Sequence, residues 1–139
     1  MFQPDPAFPA TSRLLRELGL CQARLQADAR FPWIVLLPRV EGARELEDLS
    51  ADQRHRLMDE ILLTGAAVRA VGAALGRPVA KLNVGQLGNL TPQLHVHVVG
   101  RRPDDAAWPG PVWGHGTAQG YEASALEAAL AAARDALRL

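Results

Sequence analysis

Between Ala51 and Leu75 apolar residues recur at Leu57, Ile61, Val68 and Leu75, with Leu62 and Val71 widening the stripe. That spacing predicts one long amphipathic helix. Ser50 and Gln53 supply a capping box at its start, each side chain satisfying a backbone donor that has no partner inside the helix, and Gly76 followed by Pro78 supplies the stop. Elsewhere the period shortens. Cys21 to Gln26 alternates, and Trp33 to Leu37 is a compact apolar run between Pro32 and Pro38, with Asp28-Ala29-Arg30 as a turn between them. Together they predict a hairpin. Lys81 to Val84 and Leu94 to Val99 read as two further strands, separated by a loop from Gly85 to Pro92. Ser12 to Leu18 reads as a short helix halted by Gly19. A second capping box, Ser124 with Glu127, opens a C-terminal helix whose stripe is Leu126, Leu130, Ala133 and Leu137. Pro4, Pro6 and Pro9 predict an extended N-terminal arm over 1–11, with Phe2 and Phe8 available to pin it to the body. From Pro103 to Gly120 the density of Pro, Gly and Trp excludes regular structure.

These elements define an α+β fold: an antiparallel sheet, one long helix across a face and a C-terminal helix. No repeat or low-complexity linker divides the chain, so 1–139 is expected to form one domain. Its 139 residues, 48% apolar and 22% charged, are enough to bury a core without disulfides or metal. Fifteen basic side chains balance fifteen acidic ones, which leaves no net field for nucleic acid or an anionic membrane. The single cysteine, Cys21, cannot form an intrachain disulfide, and no long apolar run marks a signal peptide or membrane span. A cytoplasmic protein is expected.

The chemistry concentrates in Gln93-Leu94-His95-Val96-His97-Val98-Val99. On a strand, Leu94, Val96 and Val98 share one face, expected to be core, while Gln93, His95 and His97 share the other, expected to be a solvated chemical face. Successive residues of that face lie about 6.6 to 6.8 Å apart, close enough for two imidazoles to act on one phosphate-sized group. Paired histidines can equally be partly exposed surface residues. The preceding Gly85-Gln86-Leu87-Gly88-Asn89 segment favours chemistry, because such loops aim backbone N–H groups at anionic oxygens. A neutral imidazole can attack phosphorus if an acceptor such as a backbone carbonyl holds its other nitrogen as a donor. No metal or cofactor is required.

The strand, loop and hairpin resemble the histidine triad family of nucleotide hydrolases and transferases, whose signature HxHxHxx is here Gln93-Leu-His95-Val-His97-Val-Val. The resemblance runs from about Gln22 to Arg102 and leaves 103–139 as a Trp/Pro/Gly-rich loop and terminal helix. It implies that His95 is the nucleophile, that His97 assists at the phosphate and leaving group, and that a nucleotidyl-histidine intermediate forms on a purine nucleotide. Likewise implied are a ribose contact at Asp28, phosphate contacts at Asn83, Gly88 and Asn89, and a homodimer. Gln93 departs from the pattern: its amide donates and accepts hydrogen bonds but does not titrate near neutrality. Leu90 also stands where the family commonly carries a hydroxyl, with Thr91 one place later. Two rival readings stay open, a nucleotide-binding protein with little catalysis, and a zinc protein using His95 and His97 with His115 or a carboxylate. His55 reads as a solvated helix residue. Trp108 and Trp113 either stack on a base or pack the loop down, and Arg101-Arg102 are candidate phosphate clamps.

Overall fold

The computed structural model describes residues 1–138. In chain order the elements are α1 (Ala7–Thr11), β1 (Ser12–Glu17), β2 (Cys21–Gln26), β3 (Trp33–Pro38), a 3-10 turn at Leu46–Asp48, α2 (Ala51–Ala74), β4 (Lys81–Gly85), β5 (Val96–Arg101) and α3 (Ala123–Ala136). The strands form one five-stranded sheet in the order β1-β2-β3-β5-β4, antiparallel throughout. α2 lies across β3 and β5, with α3 beside it. The mixed helix and antiparallel-sheet architecture is the one the sequence predicts. Among the described residues no helix is long and apolar enough to cross a membrane.

The capping box of α2 forms as expected: Gln53 N–H donates to Ser50 Oγ at 3.2 Å, and Ser50 N–H donates to Gln53 Oε1 at 2.8 Å. At the other end Gly76 takes φ 71°, which a residue with Cβ adopts only under strain. Gly76 and Arg77 then return their N–H groups to the carbonyls of Ala73 and Gly72. This satisfies carbonyls the last turn would otherwise leave open.

Five expectations are corrected. Ser12–Leu18 is not a helix: Ser12–Glu17 pairs antiparallel with β2 as an edge strand, with an irregularity between Leu14 and Arg16. Its Leu, Arg and Glu content suits a helix, but a ladder partner and the bond from Arg24 Nε to Ser12 Oγ, at 2.7 Å, override so weak a preference. The arm is not extended over all of 1–11, because Ala7–Thr11 form the short helix α1. Leu62 does not widen the buried stripe of α2 and is 68% exposed. Ser124 does not cap α3, which begins at Ala123 with Glu122 at its N-cap and no side-chain cap bond. Finally, the paired part of the last strand begins at Val96 and runs on to Arg101.

Both faces of β5 are buried. Val96 and Val98 join Ile34 and Leu36 in a core closed by Leu57, Val68 and Val71 of α2 and Ala129 and Ala133 of α3. The opposite face, expected to be solvated, carries a second apolar cluster in which Trp33, Val35, Leu37 and Val99 meet Phe8, Phe31, Ala107 and Val112. The arm and the Pro103–Gly120 loop therefore act as a covering layer. Phe8 is buried and Phe2 packs at the cluster's edge, as the arm's two phenylalanines suggest.

Gly100 of β5 lies where α2 and the loops come closest. A Cβ there would stand 2.6 Å from Val79 Cγ2, 2.7 Å from Pro32 Cγ and 3.0 Å from Val68 Cγ1. Gly100→Ala is expected to destabilise the fold by about 1–3 kcal/mol through overpacking. Urea unfolding of the two proteins measures it, and an unchanged midpoint would show that the three neighbours yield freely.

Candidate active site

Register places the two histidines. His97 stands opposite Val35 of β3 on one side and Gly85 of β4 on the other, with Trp33 one diagonal step away. His95 lies just before the ladder, where the Leu94 N–H donates to the Ala43 carbonyl at 3.0 Å and fixes the chain's approach. The two rings meet edge to face with centroids 4.9 Å apart. Phe8 packs on His95 at 4.9 Å, and Trp33 and Trp113 pack on His97 at 5.6 and 5.5 Å. His95 is 5% exposed and His97 9%. The pair thus sits in an aromatic enclosure and not on an open face. Gly85 opposite His97 is what admits Trp113: a Cβ there would lie 2.9 Å from the indole Cη2.

The hydrogen bonds assign the tautomers. His95 Nδ1 is 2.7 Å from the Gln93 carbonyl oxygen, which only accepts, so Nδ1 carries the hydrogen and Nε2 presents its lone pair. Trp33 Nε1–H donates to His97 Nδ1 at 3.0 Å, so the hydrogen of His97 is on Nε2. Burial, with the neighbouring His95 ring adding to it and the Leu87 bond opposing it, pushes the His97 pKa down from 6.5 to about 4. His97 is therefore neutral at neutral pH.

The loop residues border both the histidines and a cavity. Gly88 touches His95, since a Cβ on it would come within 3.3 Å of the ring's Cε1. On its other side Gly88 lines, with Gln86, Asn89, Pro92, Arg44, Glu45 and Asp48, an open polar cavity of about 530 Å³. That volume is within the range of small-molecule sites.

Other candidate residues are engaged elsewhere. The side chain of Gln93 binds the N-terminal arm, its Oε1 accepting from Asp5 N–H at 2.7 Å and its Nε2 donating to the Gln3 carbonyl at 2.8 Å. Asn83 lies on the His97 face, and its Oδ1 accepts from Arg101 Nη1 at 2.8 Å. Arg101, 1% exposed, is ion-paired with Asp105 at 2.8 Å and donates to the Gly110 carbonyl. It is thus a buried structural cation and not a free phosphate clamp. Burial pushes the Asp105 carboxyl up, but Arg101 and the N–H groups of Arg102, Ala107 and Trp108 outweigh it and bring the pKa to about 2. Arg102 pairs with Asp104.

Asp28 is 2% exposed and paired with Arg30 at 2.8 Å. Burial raises its pKa, yet the Arg30 side chain and backbone and the Gln119 N–H hold it below the ordinary carboxylate range. Arg30 also donates to the His115 carbonyl, so Asp28 secures the loop across 115–119. His55 is an exposed helix residue. Trp113 packs the loop down, with its buried Nε1–H unpartnered, and Trp108 lies over Arg101. Among the described residues no three His, Cys, Asp or Glu side chains form a metal-binding group, so the zinc reading lacks its third ligand. Trp33, Leu87 and Asp105 are the contributors that motif reading passed over. Only Trp33 carried a signal, an indole on the strand next to the histidine strand.

The match to known proteins follows this architecture. The HIT domain model covers residues 8–104, and the chain belongs to this histidine triad family. It is similar over its length to three bacterial histidine triad proteins of known structure. That from Bradyrhizobium japonicum is 34% identical, covering 99% of this chain and 98% of its own, with a TM-score of 0.91. The Sinorhizobium meliloti protein is 36% identical, with 98% and 97% covered and a TM-score of 0.88. The Marinobacter aquaeolei protein is also 36% identical, with 99% and 96% covered and a TM-score of 0.86. No curated protein matches the chain. The family is one of nucleotide-binding hydrolases and transferases.

The lowered pKa of His97 has a stability consequence. Between its folded value of about 4 and the unfolded 6.5, the unfolded chain binds a proton that the native chain does not. Stability from this group is therefore complete above that window and falls as the pH drops through it, by at most about 1.4 kcal/mol per pH unit. His97→Asn, which keeps an acceptor for Trp33, is expected to flatten that slope. Urea titrations of both proteins across the window test it, and parallel curves would show that His97 titrates normally.

Proposed function

We propose that the protein is a nucleotide hydrolase or transferase that cleaves at an α-phosphate, with His95 as nucleophile. The observation that carries this reading is the 2.7 Å bond between His95 Nδ1 and the Gln93 carbonyl, which leaves Nε2 as the nucleophilic atom. Nε2 attacks the α-phosphorus of a nucleoside phosphoramidate or dinucleoside polyphosphate. The phosphorus bond to the leaving group breaks as the P–Nε2 bond forms, an amine departing with a proton taken from solvent and a phosphate departing as its anion. Water then attacks phosphorus, the P–Nε2 electrons return to the ring, and a nucleoside monophosphate departs. While the ring carries the nucleotidyl group it is cationic, and the Gln93 carbonyl stabilises its Nδ1–H.

Gly88 and Asn89 border the phosphate position in this reading. Asn83 contributes its Nδ2 hydrogens, because Arg101 occupies its Oδ1 and so orients the amide. Asp28, bound to Arg30 and Gln119, supports the loop that flanks the site and is not assigned to the ribose. His97, neutral and held by Trp33, packs against Trp113 and pairs with Gly85 at the start of the loop. The exposed edge of β4, with Val84 half out in solvent, suits the homodimer that the family resemblance implies.

One observation favours binding without turnover: His95 is buried beneath Phe8. Intact mass after brief mixing with adenosine phosphoramidate or a diadenosine polyphosphate separates the readings. A nucleotidyl adduct in the wild type, absent in His95→Ala, is the expected result. AMP binding with no adduct and no turnover from either substrate would overturn it.

The neutral state of His97 leads to a second expectation. His97→Ala should slow good and poor leaving groups by the same factor, since a neutral ring whose Nδ1 already accepts from Trp33 does not become an imidazolium donor. A loss confined to poor leaving groups, read from rates across a leaving-group series, would make His97 a general acid instead.

A further inference from the structure

We propose that Gln93 is a positioning residue that docks the N-terminal arm across the site and, through Phe8, sets the ring of His95. The proposal rests on the reading of His95 as nucleophile. The Gln93 carboxamide accepts from Asp5 N–H at 2.7 Å and donates to the Gln3 carbonyl at 2.8 Å, so it pairs with the arm's backbone much as a neighbouring strand would. Its donor and acceptor lie side by side in one plane, which suits an adjacent backbone C=O and N–H. The two nitrogens of an imidazole point in divergent directions and cannot serve both from one edge.

The docked segment then turns directly into the site. Asp5 Oδ1 accepts from Ala7 N–H at 2.9 Å and the Asp5 carbonyl accepts from Phe8 N–H at 3.0 Å. That turn delivers Phe8, 6% exposed, edge-on to His95. Gln93 thus acts on the nucleophile by two separable routes. Its backbone carbonyl fixes the His95 tautomer and survives any substitution at 93. Its side chain fixes the arm and does not.

The test is a double-mutant cycle of Gln93→Ala and removal of residues 2–5, which deletes both of the carboxamide's partners. Single-turnover adduct formation and hydrogen exchange at the Asp5 amide are the readouts, with AMP affinity as a check that the fold persists. In Gln93→Ala the Asp5 amide should exchange at least about tenfold faster. Adduct formation should slow about tenfold, the truncation should cause the same loss, and the combination should add nothing. Gln93→Glu keeps the acceptor for Asp5 N–H and should recover part of both signals, whereas Gln93→His should behave like Gln93→Ala.

Additive losses, or a Gln93→His enzyme faster than the wild type, would mean that position 93 acts on the phosphate, and the proposal falls. Unchanged Asp5 exchange in Gln93→Ala overturns it whatever the activity. No turnover in the wild type, with Asp5 exchange still governed by residue 93, would sink the nucleotidyl-transfer reading and leave the docking of the arm standing.

Discussion

Two buried imidazoles on one strand bring four ring nitrogens beneath Phe8 and Trp113, and each nitrogen needs a partner or a function. Two are engaged by hydrogen bonds: His95 Nδ1 with the Gln93 carbonyl and His97 Nδ1 with the Trp33 indole. His95 Nε2 is the nitrogen that the Gln93 bond leaves with its lone pair. An unmade hydrogen bond at a buried group costs about 1–3 kcal/mol, and the two Nδ1 atoms avoid it through these bonds. The remaining architecture of the site follows from meeting that constraint. Trp33 must lie one diagonal from His97, and Gln93 must offer its carbonyl to the residue two places on.

The covering layer is held by charge as much as by apolar contact. Arg101 is buried in it, and a guanidinium so placed is tolerated only with its donors satisfied. Asp105, Asn83 and the Gly110 carbonyl satisfy them, while Phe31 and Trp108 lie near its faces. Asp105 in turn accepts from the backbone of Arg102, Ala107 and Trp108, which folds the start of the loop onto the sheet. The Asp28–Arg30 pair anchors its far end through the His115 carbonyl and the Gln119 N–H. A loop rich in proline, glycine and tryptophan thereby becomes the roof of the second apolar cluster. Polar residues that a motif alone would send to the nucleotide are the ones holding this roof.

What the sequence made legible was whatever depends on local period or local caps. The helix from Ser50 onward, the hairpin of β2 and β3 and the alternation that separates Val96 and Val98 from the histidines are all short-range properties. Ser12–Glu17 was not legible, because its strand state depends on pairing with β2 and its own composition argues the other way. The burial of His95 and His97 was hidden for a related reason: the groups that cover them come from Phe8 and Trp113, distant in sequence. The bonds of Gln93 to Gln3 and Asp5 span about ninety residues, and no spacing rule reaches that far.

Burial also changes what His97 can contribute. Desolvation disfavours the imidazolium, and the indole N–H of Trp33 requires the lone pair that a proton would occupy, so both effects act against the charged form. A histidine in that state is a fixed acceptor for the indole. Its Nδ1 is fixed to β3 through Trp33, and the loop that follows Gly85 carries Gly88 to the Cε1 edge of His95. Gly85, opposite His97, lets the Trp113 indole close the remaining side, and any larger residue there would push the indole or the loop away. Gly88 in turn lies beside Cε1 of His95, the carbon between its two ring nitrogens. In the proposed reaction this second histidine acts through geometry: it keeps phosphate-facing backbone where His95 can use it, without itself exchanging a proton.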